Sequence, residues 1–387
     1  MSQPGSGRLL TLGGNGVVLK ETLVLVILIL IFLSIVVLNS LPVFGARPTR
    51  KKKSQFQQSK NFVKGKFKYP IKSRIDYRLK VLLPVLLEIM KGNPDARPKE
   101  KLQVQRITKS LLSRSMDKAS VTWFGHSTSL IQLDDQLLLL DPVFAAYSSP
   151  FRFGGRRYSE QMPIEIEDLP EIDVVLISHD HYDHLDYQSI KKLRNKVRKF
   201  LVPLGVGSHL ERWGIAPERI VELDWWEEVQ FYGLKFRCTP AKHGSGRGIF
   251  GQNLTLWSSW IIEGKHTKVF FGGDSGYGPH FKEIGEKYGP FDLTLIEAGQ
   301  YDNRGWWPLH MLPEETVQAH IELRGNLLLP IHWGAFSLAI HDWNEPIERV
   351  LTAAHERKVS VTAPRIGETV EISLSNLPRT PWWRVES

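Results

Sequence analysis

The residues from His179 to His184 pack three imidazoles and two carboxylates into six positions, within Ser178-His179-Asp180-His181-Tyr182-Asp183-His184-Leu185-Asp186. They follow the apolar run Ile172 to Ile177, which reads as a strand. In extended chain His179 and His181 point the same way, because side chains alternate. A turn then carries Asp183 and His184 to a second point nearby. Imidazoles at i and i+2 followed by an Asp-His pair suit two adjacent metal positions, and this donor set favours zinc or a related transition metal. Burying the same groups without a cation would leave charges to be neutralised or paired at high cost.

One segment cannot complete two sites, so further ligands must come from other strand ends. Three residues have that context. His243 follows a run ending at Thr239, Asp274 follows Val269-Phe270-Phe271-Gly272-Gly273, and His332 follows Leu329-Pro330-Ile331. The glycines before Asp274 permit close backbone approach. The histidines at 209, 266, 280, 320, 341 and 355 read as hydrogen-bonded core or surface residues.

The elements that must hold these residues are legible as periodic runs. Strand-like stretches fall at 120–124, 129–133, 137–140, 172–177, 199–202, 220–223, 234–239, 257–262, 268–271, 293–296 and 327–331. Helical spacing occurs at 187–197, 206–213, 280–288 and 313–324, and again around Ile347, Val350, Leu351 and Ala354. Pro313 first and Gly325 just past the end punctuate one helix in the usual sense. Strands followed by helices come in two rounds, which implies two sheets packed face to face with helices outside. No short-period repeat is present.

The chain has 387 residues and 42% hydrophobic residues, enough for one large core or two ordinary ones. The single Cys238 excludes an intramolecular disulfide and a cysteine zinc cage. A net charge of +9 is a local effect: residues 47–75 hold 11 Lys/Arg and no Asp or Glu, and the remainder has 39 against 41. A near-neutral body excludes a chain-wide nucleic-acid surface.

From Leu23 to Leu38 every residue except Ser34 is apolar. Extended through Thr22 and on to Phe44, the segment spans a hydrocarbon core of about 30 Å. A cleaved signal peptide is the rival reading; the weak charge before the run and the poor cleavage site at Phe44-Gly45-Ala46-Arg47-Pro48 argue against it. The cations at 47, 50–53 and 60 place the body on the cytoplasmic side, and can also hold anionic lipid headgroups. Residues 47–75 read as a flexible basic linker. The apolar but Pro-interrupted Val81 to Leu87 reads as packed on the body or lying at a membrane surface.

The His-x-His-x-Asp-His pattern with later His, Asp and His resembles the metallo-β-lactamase superfamily. Further stretches narrow the resemblance: Gly125-His126-Ser127-Thr128, Leu140-Asp141-Pro142-Val143, Glu222-Leu223-Asp224-Trp225-Trp226-Glu227, Gly273-Asp274-Ser275-Gly276-Tyr277 and Ile331-His332-Trp333-Gly334. Over about 119–365 the chain is similar to the N-acyl-phosphatidylethanolamine-hydrolysing phospholipase D family. That resemblance implies an α/β fold, a four-layer αββα metallo-β-lactamase sandwich; the apolar run before it adds one N-terminal transmembrane helix. Together with the hydropathy and charge pattern it divides the chain into a tail (1–21), an anchor (22–44), a linker and pre-domain segment (45–118), the hydrolase domain (119–375) and a second tail (376–387).

The resemblance also implies roles. His179, His181 and His243 would hold one Zn2+; Asp183, His184 and His332 would hold a second; Asp274 would bridge them. Other divalent transition metals suit the same donors. Asp274, Asp183 and His310 are the expected catalytic residues, and Tyr301 and His310 the expected substrate-side groups. Asp141 and Asp186 are expected to orient ligand imidazoles, with turn or capping chemistry as the alternative for each. The stretch Glu297 to Trp307 and the pair Leu309-His310 depart from the family pattern near the expected substrate pocket.

The implied activity is that of a membrane-anchored dinuclear zinc phosphodiesterase. It would cleave N-acyl-phosphatidylethanolamine to N-acylethanolamine and phosphatidic acid. The alternative is a hydrolase of the same fold acting on a small soluble lactone, thioester or β-lactam. A nuclease and a non-catalytic adaptor are the remaining rivals. The implied partners are a phospholipid substrate and a membrane, without nucleic acid; a homodimer is compatible with the sequence. Paired tryptophans at 225–226, 306–307 and 382–383 fit a membrane interface but more often serve core packing.

Overall fold

The computed structural model describes residues 14–71, 91–112, 118–152, 155–248, 251–302, 308–378 and 380–384. The expectations for Val81–Leu87 and for Trp306–Trp307 lie outside them. The chain divides into two units after Phe44.

The first unit is a helix, α1 (Gly14–Ser40), followed by a 3-10 turn at Pro42–Phe44. Its window Lys20–Val37 is long and apolar enough to cross a membrane, a test that a signal sequence also passes. The helix already covers Gly14 to Glu21, ahead of the expected anchor boundary at Thr22; that stretch contains no proline to interrupt it.

The second unit contains two seven-stranded sheets. The first has the order β16-β3-β4-β5-β6-β7-β8, with β3 (Ser120–Trp123), β4 (Ser129–Leu133), β5 (Gln136–Leu140), β6 (Ile172–Leu176), β7 (Val197–Pro203), β8 (Ile220–Leu223) and β16 (Thr369–Glu371). The second has the order β15-β14-β13-β12-β11-β10-β9, with β9 (Glu228–Phe231), β10 (Leu234–Thr239), β11 (Ser259–Glu263), β12 (Lys268–Phe271), β13 (Phe291–Glu297), β14 (Gly325–Ile331) and β15 (Ser360–Val361).

Strand alternation builds the layers. Leu138 and Leu140 face the core between the sheets, together with Trp260, Val269, Phe271, Leu327 and Leu329. Leu137 and Leu139 face outward, under helices α3 (Tyr187–Leu193) and α4 (Gly207–Arg212). On the other sheet Phe270 and Leu328 meet α5 (His280–Tyr288), α6 (Pro313–Glu322) and α7 (Glu345–Arg357). Both faces of each sheet are covered, so the strands read as continuous apolar runs rather than alternating ones. The result is a four-layer αββα sandwich. The strands β3, β5 and β6 run one way in their sheet, and β10, β12, β13 and β14 one way in theirs, so the loops at their C-terminal ends gather on one edge of each sheet.

Two expectations about the flanks give way. The basic stretch after Phe44 is folded rather than a flexible linker. It forms α2 (Arg50–Phe56) and the hairpin β1–β2 (Phe62–Val63 and Lys66–Phe67). Phe56 and Phe67 are buried in the inter-sheet core cluster, and the Phe67 N–H donates to Asn253 O at 2.8 Å. Three phenylalanines at 56, 62 and 67 therefore override the polar composition. Leu102, Ile107 and Leu112 are buried as well, so the pre-domain segment also joins the body. At the far end Trp382 stacks on Trp333 with ring centroids 5.5 Å apart, and Trp383 is buried, so part of the expected tail is core.

The helix expected over 187–197 stops at Leu193, because Val197 already pairs with Ile172 as the first residue of β7. Trp123, Trp257, Trp260 and Trp333 are fully buried, so these indoles pack the core.

Candidate metal centre

The loop after β6 brings Ser178 to His184 to the edge where the loops after β3, β5, β10, β12 and β14 also arrive. Three overlapping groups of side chains result: His179, His181, His243 and Asp274; His126, Asp183, His184 and His332; and Asp274, Glu297, His310 and His332. Within each group the potential ligand atoms lie within 4.8 Å of one another. All seven side chains expected from sequence to hold metal are in the first two groups, and Asp274 faces both. Its Oδ2 is 3.8 Å from His179 Nε2, 3.7 Å from His243 Nε2 and 3.2 Å from His332 Nε2. Its Oδ1 is 3.1 Å from His184 Nε2. The approach depends on Gly273, at φ +56°, where a Cβ would stand 2.5 Å from Ser178 Cβ.

Outer hydrogen bonds fix the ring orientation of four imidazoles. His184 Nδ1 donates to Asp141 Oδ2 at 2.7 Å. The Ser178 hydroxyl donates to the same oxygen at 2.5 Å, so it accepts from His179 Nδ1 at 2.9 Å. His243 Nδ1 donates to Leu309 O at 3.1 Å, and His332 Nδ1 to Gly299 O at 3.4 Å. Each ring thus gives its Nδ1–H to an outer acceptor and aims Nε2 inward.

The inward atoms do not satisfy one another. His181 Nδ1 faces His179 Nε2 at 2.8 Å and His243 Nε2 at 3.2 Å, three nitrogens that one shared proton cannot serve. His184 Nε2 and Asp274 Oδ1, although 3.1 Å apart, are buried and make no well-aligned hydrogen bond with each other or with any other described group. Bare imidazole nitrogens and carboxylate oxygens converging in a buried pocket fit divalent transition-metal ions at two adjacent positions.

The electrostatics agree. Burial, reinforced by neighbouring imidazoles, holds His179 well below its ordinary pKa, and burial does the same for His243. Burial opposes charge on His184 and His332 too, but the Asp274 and Asp183 carboxylates outweigh it. They hold His184 well above the usual range and His332 at about 10. Burial alone would raise Asp274 and Asp183; the facing imidazoles instead hold both well below the usual carboxylate range. A metal-free site therefore balances its anions with protonated histidines, a task that a cation takes over on binding.

The other expected site residues divide. Asp141 lies against His184. Asp186 touches no imidazole; it caps α3, accepting from Ser189 N at 2.7 Å and Ser189 Oγ at 2.6 Å. Its position at the start of a helix decides this, since an Asp there satisfies an otherwise unpaired N–H. His310 borders the cluster, with Nδ1 2.8 Å from Glu297 Oε2 and its ring parallel to that of His332 at 5.2 Å. Tyr301 is buried away from the cluster: its hydroxyl donates to Glu345 Oε1 at 2.8 Å and its ring stacks on His341 at 4.5 Å. That placement leaves no exposed hydroxyl for a substrate.

Two participants were not assigned from sequence, and one residue of the motif stands apart from the cluster. His126 Nε2 meets Asp183 Oδ2 at 2.9 Å, held by two backbone bonds with the β14 loop, His126 N to Trp333 O and His332 N to His126 O, each 3.0 Å. Glu297, fully buried at the end of β13, holds His310 and the Met311 N–H. Asp180, between two cluster histidines, turns away. Its carboxylate accepts from Thr255 Oγ1 at 2.8 Å, Gly246 N at 2.7 Å and His209 Nε2 at 3.1 Å. The available signal for His126 and Glu297 was position, since each follows or ends a strand on the same edge as Asp274.

Comparisons with known proteins agree with this geometry. A β-lactamase superfamily domain matches residues 137–333. An uncharacterized protein of Mycobacterium tuberculosis is 45% identical over 272 residues, 69% of this chain and 72% of that one. The N-acyl-phosphatidylethanolamine-hydrolyzing phospholipase D 1 of Caenorhabditis elegans is 34% identical over 268 residues, 65% of this chain and 75% of that one. Among solved structures, a metallo hydrolase of the archaeon Ignicoccus hospitalis shares the fold, with a TM-score of 0.50 at 23% identity, covering 65% of this chain and 97% of that one. With the domain match, the sandwich and the paired His/Asp positions in agreement, the chain belongs to the β-lactamase superfamily, as one of its metal-dependent hydrolases.

Proposed function

We propose that the protein is a membrane-anchored dinuclear metallohydrolase of phospholipase D type, cleaving N-acyl-phosphatidylethanolamine to N-acylethanolamine and phosphatidic acid. The observation that carries the reading is the convergence of inward-facing imidazole nitrogens from His179, His181, His184, His243 and His332 around Asp274 and Asp183. Similarity to the worm phospholipase supports the substrate class, and α1 supports an enzyme held beside its lipid.

In this reading His179, His181 and His243 would hold one ion and Asp183, His184 and His332 the other, with Asp274 available to both; zinc suits these donors. When bound, such a pair supplies an activated water at neutral pH and neutralises phosphoryl oxygens. The chain's own residues do the rest. Asp141, Ser178 and the carbonyls of Leu309 and Gly299 keep the ligand rings in one tautomer. His126 holds the Asp183 carboxylate. In this reading His310, whose Nδ1 meets Glu297, passes a proton to the departing alcohol as the phosphorus–oxygen bond breaks. The cations after α1 put the body in the cytoplasm.

The test is a mass-spectrometric assay of the full chain in mixed micelles, with and without chelator. Chelator-sensitive release of N-acylethanolamine together with phosphatidic acid is expected. Folded protein that holds two metals and releases neither product would move the assignment to a small soluble substrate. A reporter fused after Ser387 tests the orientation, and a read-out on the far side of the membrane would reverse it.

A further inference from the structure

The basic stretch after α1 has two faces. Lys52 and Phe56, four apart on α2, point to the body. Lys52 Nζ bonds Glu211 at 2.7 Å and Glu222 at 2.8 Å, and Phe56 is buried. Arg50, Lys53, Ser54 and Gln57 recur at i, i+3, i+4 and i+7 on the other side, as one helix face. Across from them stands the hairpin turn of β1–β2, with Lys64 at φ +53°. Between the two lies a cavity of about 430 Å3, lined by this helix face, Phe62 and Lys64.

Among the described residues, Arg50, Lys53 and Lys64 have no carboxylate partner. The fold therefore gathers three cations, none with a carboxylate partner among the described residues, around one concave space, an arrangement that favours entry of an anion. Its walls are not purely polar. Phe62 forms part of the lining, and the adjacent Val63 is 42% exposed. Cations to grip a phosphodiester, beside apolar side chains for a glycerol ester, match a phospholipid headgroup better than a free anion. Only nine residues, Leu41 to Thr49, separate α1 from Arg50.

We propose that this groove binds the phosphate of an anionic phospholipid headgroup in the membrane that α1 enters. The proposal rests on the membrane reading of α1. It differs from a diffuse attraction between a flexible basic tract and a charged surface, because it assigns the selectivity to three cations that α2 and the β1–β2 turn present around one groove. At roughly fivefold per cation, they give a preference for anionic over zwitterionic headgroups on the order of 100-fold.

The test uses the full chain in neutral detergent micelles, titrated with short-chain phosphatidylglycerol, with short-chain phosphatidylcholine, or with inorganic phosphate. Protection of the backbone amides of residues 50–66 from hydrogen exchange is the readout. Half-saturation by phosphatidylglycerol at about one-hundredth the level needed for phosphatidylcholine is expected. The combined variant Arg50→Gln, Lys53→Gln, Lys64→Gln should abolish that difference. The variant Lys51→Gln, Lys60→Gln, Lys68→Gln removes the same charge outside the groove and should keep it. Equal loss in both variants, or equal protection by the two lipids, would overturn the groove. Protection by inorganic phosphate as strong as that by phosphatidylglycerol would overturn the lipid assignment. Extraction of the chain from vesicles by alkaline carbonate would count against α1 as a span, and leaves the micelle titration to stand or fall separately.

Discussion

His209 joins Asp180 to the first residues after the apolar segment. Its Nδ1 accepts from the Ala46 N–H at 2.9 Å, so the ring proton is on Nε2 and donates to Asp180 Oδ2 at 3.1 Å. Burial holds His209 below its ordinary pKa, in keeping with this neutral tautomer. Asp180 is flanked by His179 and His181, so the link fixes the chain that presents two cluster imidazoles. Gly45 makes the approach feasible, since at φ +69° a Cβ there would stand 2.1 Å from His209 Nδ1.

His209→Ala removes a donor from Asp180 and an acceptor from Ala46. It should cost about 1–3 kcal/mol of stability and weaken metal binding about 10–100-fold, read by thermal unfolding and by competition with a chromophoric chelator. Gly45→Ala should have the same sign in both measurements. Wild-type metal affinity in His209→Ala would show that the loop holds its shape without this link.

Asp274→Asn keeps the volume of the side chain and removes its charge from between the two groups. Metal content by inorganic mass spectrometry should fall below two per chain and hydrolysis should be lost, while far-ultraviolet circular dichroism stays that of the wild type. Near-normal turnover by this variant would end the dinuclear reading.

Asp141 and Asp186 provide a contrasting pair. Asp141→Asn should weaken metal binding about 10–100-fold, because the oxygen that fixes His184 and Ser178 is altered. Asp186→Ala removes a helix cap and should cost about 1 kcal/mol of stability with metal affinity unchanged. Equal effects of the two on metal affinity would contradict the assignment of Asp186 to capping alone.

Two histidines outside the centre make stability depend on pH. Burial pushes His280 down to about 3 and His320 down to about 4, whereas both titrate near 6.5 when unfolded. Below about pH 6.5 the unfolded chain takes up protons that the folded chain refuses, so stability falls as pH falls, by about 1.4 kcal/mol per pH unit for each group. His320→Gln should remove one share of that slope between about pH 6 and pH 4.5, measured by denaturant unfolding of the variant against the wild type. An unchanged slope would mean that His320 is protonated in both states alike.

Much of this protein follows from local sequence. The strand ends carrying His179, His243, Asp274 and His332 are visible because each apolar run stops at a polar residue, and strands buried on both faces leave continuous runs that need no tertiary information. The helix Pro313–Glu322 announces itself through its first-turn proline and its amphipathic spacing.

Other features depended on contacts distant in sequence. His126 and Asp183 are 57 residues apart, and only the pairing of the β3 and β14 loops brings His126 to that carboxylate. Tyr301 reads as a substrate group until its hydroxyl is found on Glu345, 44 residues away. The stretch after Phe44 reads as linker because charge dominates its composition, yet three phenylalanines suffice to anchor it once a core cluster exists to receive them. Periodicity records which face of an element is buried. Which distant residue it meets is decided by the packing of two sheets, and no single segment carries that information.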